Sequence, residues 1–180
     1  MRVDLTQKRQ AQAESDFLRF SRVLAYNSET GELIWKPRER SLFPTEAAYG
    51  RFKTCHQGKT AGGNCHGYIW VRVEGAGYAA HRLAWLLYHG EWPDRIEDHI
   101  NRDKKDNRIA NLRLCTQQEN MRNCSLSRKN TSGHTGVRRK GLKWGAYLHH
   151  GGRSVHLGLF DTREQAVLAR VAGEQRYWDN

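Results

Sequence analysis

At 180 residues the chain has room for one ordinary domain or for two or three very small ones, and small units bury little apolar surface, so each would draw part of its order from a partner. With 30 Lys and Arg against 19 Asp and Glu, the formal net charge of +11 points to a polyanion, nucleic acid before a membrane surface. No apolar run approaches the length of a spanning helix, and Met1–Asp16 is too charged for the core of a signal peptide, so a cytoplasmic protein is expected.

Residues 1–16 read as a solvated helix, which Phe17 to Leu24 extend with an apolar face. Tyr26 to Trp35 reads as a turn feeding a strand, with Gly31 supplying a positive φ. Pro37 to Gly63, rich in Arg, Lys and Gly, reads as irregular, either a loop laid along DNA or a plain surface connection. Tyr68 to Tyr78 alternates as a hairpin around Gly75-Ala76-Gly77, and Leu83 to Tyr88 is helical, stopped by Gly90 and Pro93. His81, at the passage from strand to helix, reads as a structural histidine. The hairpin and helix are expected to lend a core to the polar stretch beyond Pro93.

Four cysteines invite a metal or disulfide reading. Disulfides are rare in the expected compartment. Cys55-His56 and Cys65-His66 form a repeated pair, but their spacing does not match the Cys-x₂₋₄-Cys of structural zinc sites, which argues against zinc. Cys115 and Cys124 are expected to pack as buried thiols.

The densest chemistry lies between Glu97 and Asn120. Ile96 to Ile100 is a short strand and Asn101 to Asn107 a loop of turn-forming residues. Leu112-Arg113-Leu114 alternates as a returning strand, and Thr116-Gln117-Gln118-Glu119 is a capping box that starts a helix carrying Asn120. Asp98 and His99 thus end one strand, and Asn120 sits on the helix that folds back. A carboxylate and a side-chain amide are hard oxygen donors suited to Mg²⁺, which keeps several waters. His99 beside them is suited to take a proton from an attacking water, since an imidazole titrates near working pH. Asn111 is expected to fix the ring of His99. The same residues are also compatible with a plain polar hairpin; pair, spacing, capping box and second Asn together favour the site.

Asp98-His99, Asn111 and Asn120, with Asn107-Arg108-Ile109-Ala110-Asn111-Leu112-Arg113 between them, resemble the HNH (ββα-metal, His-Me finger) endonucleases of the phage and homing type. Ala80-His81-Arg82-Leu83-Ala84-Trp85 and Gly90-Glu91-Trp92-Pro93 resemble that family's lead-in. The resemblance implies His99 as general base, Asp98 and Asn120 as ligands of one Mg²⁺ or Mn²⁺ per active site, and Asn111 as the residue that orients the base. An asparagine stands where the family's third histidine is usual.

From Asn120 to Phe160 there is no acidic residue, while Arg122, Arg128, Lys129, Arg138, Arg139, Lys140, Lys143 and Arg153 all fall inside. Ser125 to Gly133 reads as a linker. Beyond it, Thr135–Arg139, Trp144–His149 and Ser154–Phe160 are three short strands with Val137, Ala146, Leu148, Val155 and Leu157 as apolar positions. The stretch from Asp161 to Trp178 is an amphipathic helix, with Asp161 as N-cap and Ala166, Leu168, Ala169, Ala172 and Tyr177 covering the sheet. Gly136-Val137-Arg138, Trp144 to Leu148 and Leu157 to Thr162 resemble the plant ethylene-response-factor type of DNA-binding domain. That likeness implies a sheet entering the major groove, with Arg138, Trp144, His149 and His156 at matching positions; Arg139, Lys140, Lys143, Tyr147 and Arg153 join them on charge and placement.

The expected fold is therefore α+β: a small ββα-metal nuclease module backed by a hairpin and helix, then a three-stranded antiparallel sheet packed on one helix. The expected organisation is 1–66 as scaffold or further DNA contact, 67–126 as nuclease and 127–180 as DNA-binding domain. The expected activity is metal-dependent hydrolysis of double-stranded DNA by a monomer or weak dimer that nicks one strand per active site. The alternative is a DNA-binding regulator that keeps the nuclease fold without catalysis.

Overall fold

Helix α1 (Leu5–Val23) passes directly into strand β1 (Leu24–Tyr26) in the computed structural model, which describes residues 5–123, 126 and 129–178. The helix buries Ala13, Phe20 and Val23, residues spaced to recur on one face, and leaves the rest of its length mostly in water. β1 pairs antiparallel with β2 (Leu33–Trp35), Leu24 opposite Trp35. The turn between them is built by the Asn27 side chain, which accepts from the backbone N–H groups of Glu29 and Thr30 at 2.9 and 3.2 Å.

The stretch from Pro37 to Gly63, expected to be irregular, contains helix α2 (Glu46–Cys55) and opens strand β3 (Gly63–Cys65). Thr45 caps α2 by accepting from Ala48 N at 3.1 Å. With Gly50 inside it and no apolar periodicity, the helix depends on tertiary packing: buried Phe52 meets Trp35 edge-on at 6.4 Å and Phe43 at 5.2 Å. Cys55 and Cys65 are exposed, and among the described residues no cluster of three or more His, Cys, Asp or Glu side chains is arranged to hold a metal ion.

β4 (Tyr68–Val73) pairs with β3 on one side and with β5 (Ala76–Ala79) on the other. The turn is Glu74-Gly75, both at positive φ, rather than the Gly-Ala-Gly expected; Ala76 and Gly77 already pair with Val73 and Arg72. A two-residue turn of that hand matches the twist of the strands it joins. Helix α3 (Ala80–His89) follows at once and ends at Gly90. Its Leu83 and Leu86 are fully buried in a core with Phe20, Leu24, Leu33, Trp35, Phe52, Val71 and Val73. Side chains of this kind contribute about 1.5–3 kcal/mol each on burial. Residues before and after position 66 therefore share a single core, and the amino-terminal segment folds as part of the same unit, which extends to Cys124. That unit closes with hairpin β6 (Ile96–His99) and β7 (Leu112–Cys115) and helix α4 (Gln117–Arg122). Cys115 is buried, which raises its thiol pKa; Cys124 lies outside the described residues.

The second unit begins at Ser125. Strands β8 (Val137–Lys140), β9 (Lys143–His150) and β10 (Arg153–Phe160) form an antiparallel sheet in the order β10-β9-β8, covered on one face by α5 (Arg163–Trp178). The cap of α5 is Thr162 rather than Asp161: its hydroxyl accepts from Gln165 N at 3.2 Å, while Gln165 Oε1 accepts from Thr162 N at 3.3 Å. Leu168, expected on the sheet, is 69% exposed; the covering face runs through Ala166, Ala169, Arg170 and Gly173. Arg170 is buried because Gly136 leaves it room: a Cβ there would meet Arg170 Nε at 2.5 Å. Its Nε donates to Thr135 O at 3.2 Å and its Nη2 pairs with Glu174 at 2.9 Å. Both units together make an α+β chain. Among the described residues no helix is long and apolar enough to cross a membrane.

Candidate functional site

The β6–β7 ladder puts Asp98 opposite Arg113 and His99 opposite Leu112. Both site residues are buried, at 9% and 5% exposure, and so are Asn107 and Asn111 at 3% and 7%. Four buried polar side chains in one hairpin need partners, and each has them. Asp98 Oδ2 accepts from Arg113 Nε at 3.1 Å and Nη2 at 2.8 Å. The Asn123 amide, just past α4, reaches Asp98 Oδ2 at 2.9 Å, Oδ1 at 3.1 Å and the His99 carbonyl at 2.9 Å. The capping box that starts α4 is complete: Thr116 Oγ1 accepts from Glu119 N at 3.2 Å, and Glu119 Oε2 accepts from Thr116 N at 2.7 Å. It fixes the angle at which α4, with Asn120 and Asn123, returns onto β6.

Asn111, expected from sequence to fix the His99 ring, does not bond it. It clamps the loop instead: its Oδ1 accepts from Asn101 N at 3.0 Å and its Nδ2 donates to the Asp106 carbonyl at 2.7 Å. The ring partner is Asn107, whose Oδ1 lies 3.1 Å from His99 Nε2. An amide oxygen only accepts, so in the neutral ring this contact places the hydrogen on Nε2 and the lone pair on Nδ1. The loop is stiffened further by Asp106, which takes both Arg108 Nε and Nη2, at 2.8 and 2.6 Å, and the Asn101 amide at 2.7 Å; the Arg108 bond holds its carboxyl down at about 2.

On the other side of His99 stand two rings. His81 packs edge-on to it with centroids 5.2 Å apart, and Tyr68 lies 6.2 Å from it. Burial, followed by the His99 and Arg82 charges, pushes His81 down to about 4, so it is neutral at working pH and puts no like charge beside a protonating His99. Glu97, its side chain 3% exposed, is pushed up to about 7 by burial despite Arg82 Nε at 3.7 Å.

A hard divalent ion fits the donor set. Among the described residues, three of the four hydrogen bonds on Asp98 fall on Oδ2 and Oδ1 has only the 3.1 Å contact with Asn123, while a carboxylate oxygen has two lone-pair sites. One carboxylate and the Asn120 amide on the adjoining helix suit an ion that keeps most of its water.

In the second unit, strand alternation sorts the nine residues proposed for DNA. Arg138, Lys140, Lys143, Tyr147, His149 and His156 lie on the face away from α5, where Arg138 stacks over Tyr147 at 4.3 Å and Tyr147 on His156 at 4.8 Å. Lys143 is also 3.2 Å from Asp161. Trp144, Arg139 and Arg153 fall in the other register. Trp144 packs into the core, Arg139 lies over it at 5.7 Å, and Arg153 pairs with His150, whose ring meets Tyr177 of α5. Sequence reasoning missed Arg113, Asn123 and Asn107. The first was readable by counting the hairpin register from Asp98 and the second from its place one turn after Asn120; Asn107 had no periodic signal.

A family model described as HNH endonuclease matches residues 78–122, from β5 through α3, the β6–β7 hairpin and α4. No curated protein and no solved structure matches the chain.

Proposed function

We infer from the match of residues 78–122 to the HNH endonuclease model that the chain has a nuclease-type function with DNA as substrate. We propose that the chain is a metal-dependent endonuclease of the phage and homing HNH type that hydrolyses a phosphodiester bond in double-stranded DNA. The reading is carried by the buried Asp98-His99 pair at the end of β6, with the imidazole held at Nε2 and Nδ1 left to accept. His99 Nδ1 takes the proton of the attacking water as general base, and neutral His81 lowers the cost of the imidazolium that results. Asp98 and Asn120 would hold one Mg²⁺ or Mn²⁺, which supplies charge stabilisation for the phosphorane and the leaving 3′ oxygen. Arg113 and Asn123 hold the Asp98 carboxyl group in place. Asn111 acts at one remove, by clamping the loop that carries Asn107. The face of β8–β10 away from α5 supplies affinity, its Arg and Lys pairing with phosphates or guanine edges. One site per chain gives one nick per binding event.

A second reading, a DNA-binding regulator with a silent nuclease fold, is favoured by one observation: Asp98 is already bonded by Arg113 and Asn123, as a purely structural carboxylate would be. A supercoiled-plasmid assay with Mg²⁺, Mn²⁺ or EDTA separates the two. Open-circle product that needs both metal and His99, and that vanishes in His99→Ala, is expected. A labelled duplex bound tightly and never cut supports the regulator.

A further inference from the structure

The loop that carries Asn107 is gripped from outside the motif. The Tyr26 hydroxyl, at the end of β1, donates to the Asn107 carbonyl at 2.7 Å, and the Ser28 carbonyl accepts from Ile109 N at 3.3 Å. Between these two contacts Gly31 sits at φ +76° against the same peptide. A Cβ at Gly31 would stand 2.5 Å from Arg108 N, 2.6 Å from the Asn107 carbonyl carbon and 3.0 Å from Asn107 N. All three are backbone atoms, which cannot swing aside as a flexible side chain does. Burial pushes the Tyr26 phenol up to about 12, so it remains a donor throughout the working range. The Asn107 peptide is thus held by a hydrogen bond and by close packing from the β1–β2 turn, while its side chain holds the imidazole.

We propose that Tyr26 and Gly31 are positioning residues for the nuclease: they fix the Asn107 peptide and, through its amide, keep the His99 ring in the tautomer and orientation that open Nδ1 to the attacking water. The inference rests on His99 as general base. It assigns the amino-terminal hairpin a part in catalysis that neither the HNH match at residues 78–122 nor the motif itself contains.

The test uses the full chain and four variants: Tyr26→Phe, Gly31→Ala, Gly31→Asn and, as control, Gly58→Ala. Gly58 also has positive φ (+73°), but a Cβ there meets nothing within 4 Å, so its variant reads the backbone cost alone. Plasmid cleavage under single turnover, affinity for a labelled duplex, thermal melting and the ¹⁵N shifts of the His99 ring are measured for each. Tyr26→Phe should keep its fold and DNA affinity, cut cleavage about tenfold or more, and move the ring off the pure Nε2–H tautomer. Gly31→Ala and Gly31→Asn should fall at least as far. Asn tolerates positive φ, so its failure marks the lack of space at Asn107 rather than a torsional preference. Gly58→Ala should cleave as the parent does. Wild-type cleavage and ring shifts in Tyr26→Phe would overturn the proposal, as would rescue by Gly31→Asn. A cleavage loss matched by lost stability, with the His99 ring unchanged, would overturn it too, by reducing the hairpin to a structural prop. Cleavage that survived His99→Ala would instead sink the general-base reading, and the ring shifts would still report on Tyr26.

Discussion

The two units handle polar side chains in opposite ways. In the first, Asp98, His99, Asn107 and Asn111 are all below 10% exposure and cross-bonded into the backbone of their own loop. In the second, Arg138, Lys140 and His156 stand exposed on the open face of a sheet, with Arg138 and His156 stacking on Tyr147. Burial costs a polar group its water and demands a fixed hydrogen-bond partner in exchange, which suits a site where a misplacement of about 1 Å costs orders of magnitude in rate. A surface that must meet a hydrated polyanion gains nothing from burial and needs accessible charge. That contrast is the one expected if the first unit holds the proposed reaction centre and the second the proposed docking surface.

The strongest way to break this contrast is Asp98→Ala. The substitution removes the acceptor shared by Arg113 and Asn123, together with the one carboxylate in the proposed ion set. Cleavage should drop at least a hundredfold, with metal no longer restoring it, while duplex affinity stays within about threefold. If binding vanished along with cleavage, Asp98 would be a structural residue and the division between the units would fail.

Much of that division was legible in the chain. Strong local signals survived folding: the Thr116–Glu119 capping box, the adjacent Asp98 and His99, and the alternating β8–β10 strands all formed where expected. What escaped were features set by contacts far apart in sequence. Helix α2 forms because Phe52 docks on Trp35 and Phe43, which no local pattern encodes. The α5 face turned toward Arg170 and away from Leu168 because Gly136, over thirty residues earlier, opens a slot for a guanidinium. Asn107 replaced Asn111 at the His99 ring because the loop is bent by Asx-type bonds from Asn101, Asp103 and Asp106, and the β1–β2 turn presses on it from outside.

A second sharpening comes from pH, since both strongly shifted buried groups beside the motif belong to the first unit. Glu97, raised from 4.5 to about 7, is protonated in the folded state where the unfolded chain has lost its proton, so stability falls as pH rises through that window. His81, lowered from 6.5 to about 4, does the reverse, and stability rises with pH between those values. The two slopes oppose each other and leave the parent nearly flat from pH 4.5 to 6.5. Glu97→Gln removes the falling limb. Urea melts of this variant should show stability climbing by about 2–3 kcal/mol across that range. Curves parallel to the parent would mean that Glu97 is ionised in place, held by Arg82.

The smallest effect tests the second unit's sheet. If its open face meets phosphates, the double variant Arg138→Ala with Lys140→Ala releases fewer counterions on binding, and the slope of log K against log salt should shrink by about 1 to 2. Arg139→Ala with Arg153→Ala removes the same charge from the register that faces α5, where Arg139 already lies over Trp144 and donates to Gly141 O at 3.3 Å. That pair should leave the slope within about 0.5 of the parent. Because both variants lose two positive charges, a general loss of long-range attraction would flatten the two slopes equally. Only contact through one face separates them, and equal slopes would return the DNA surface to the chain's overall charge.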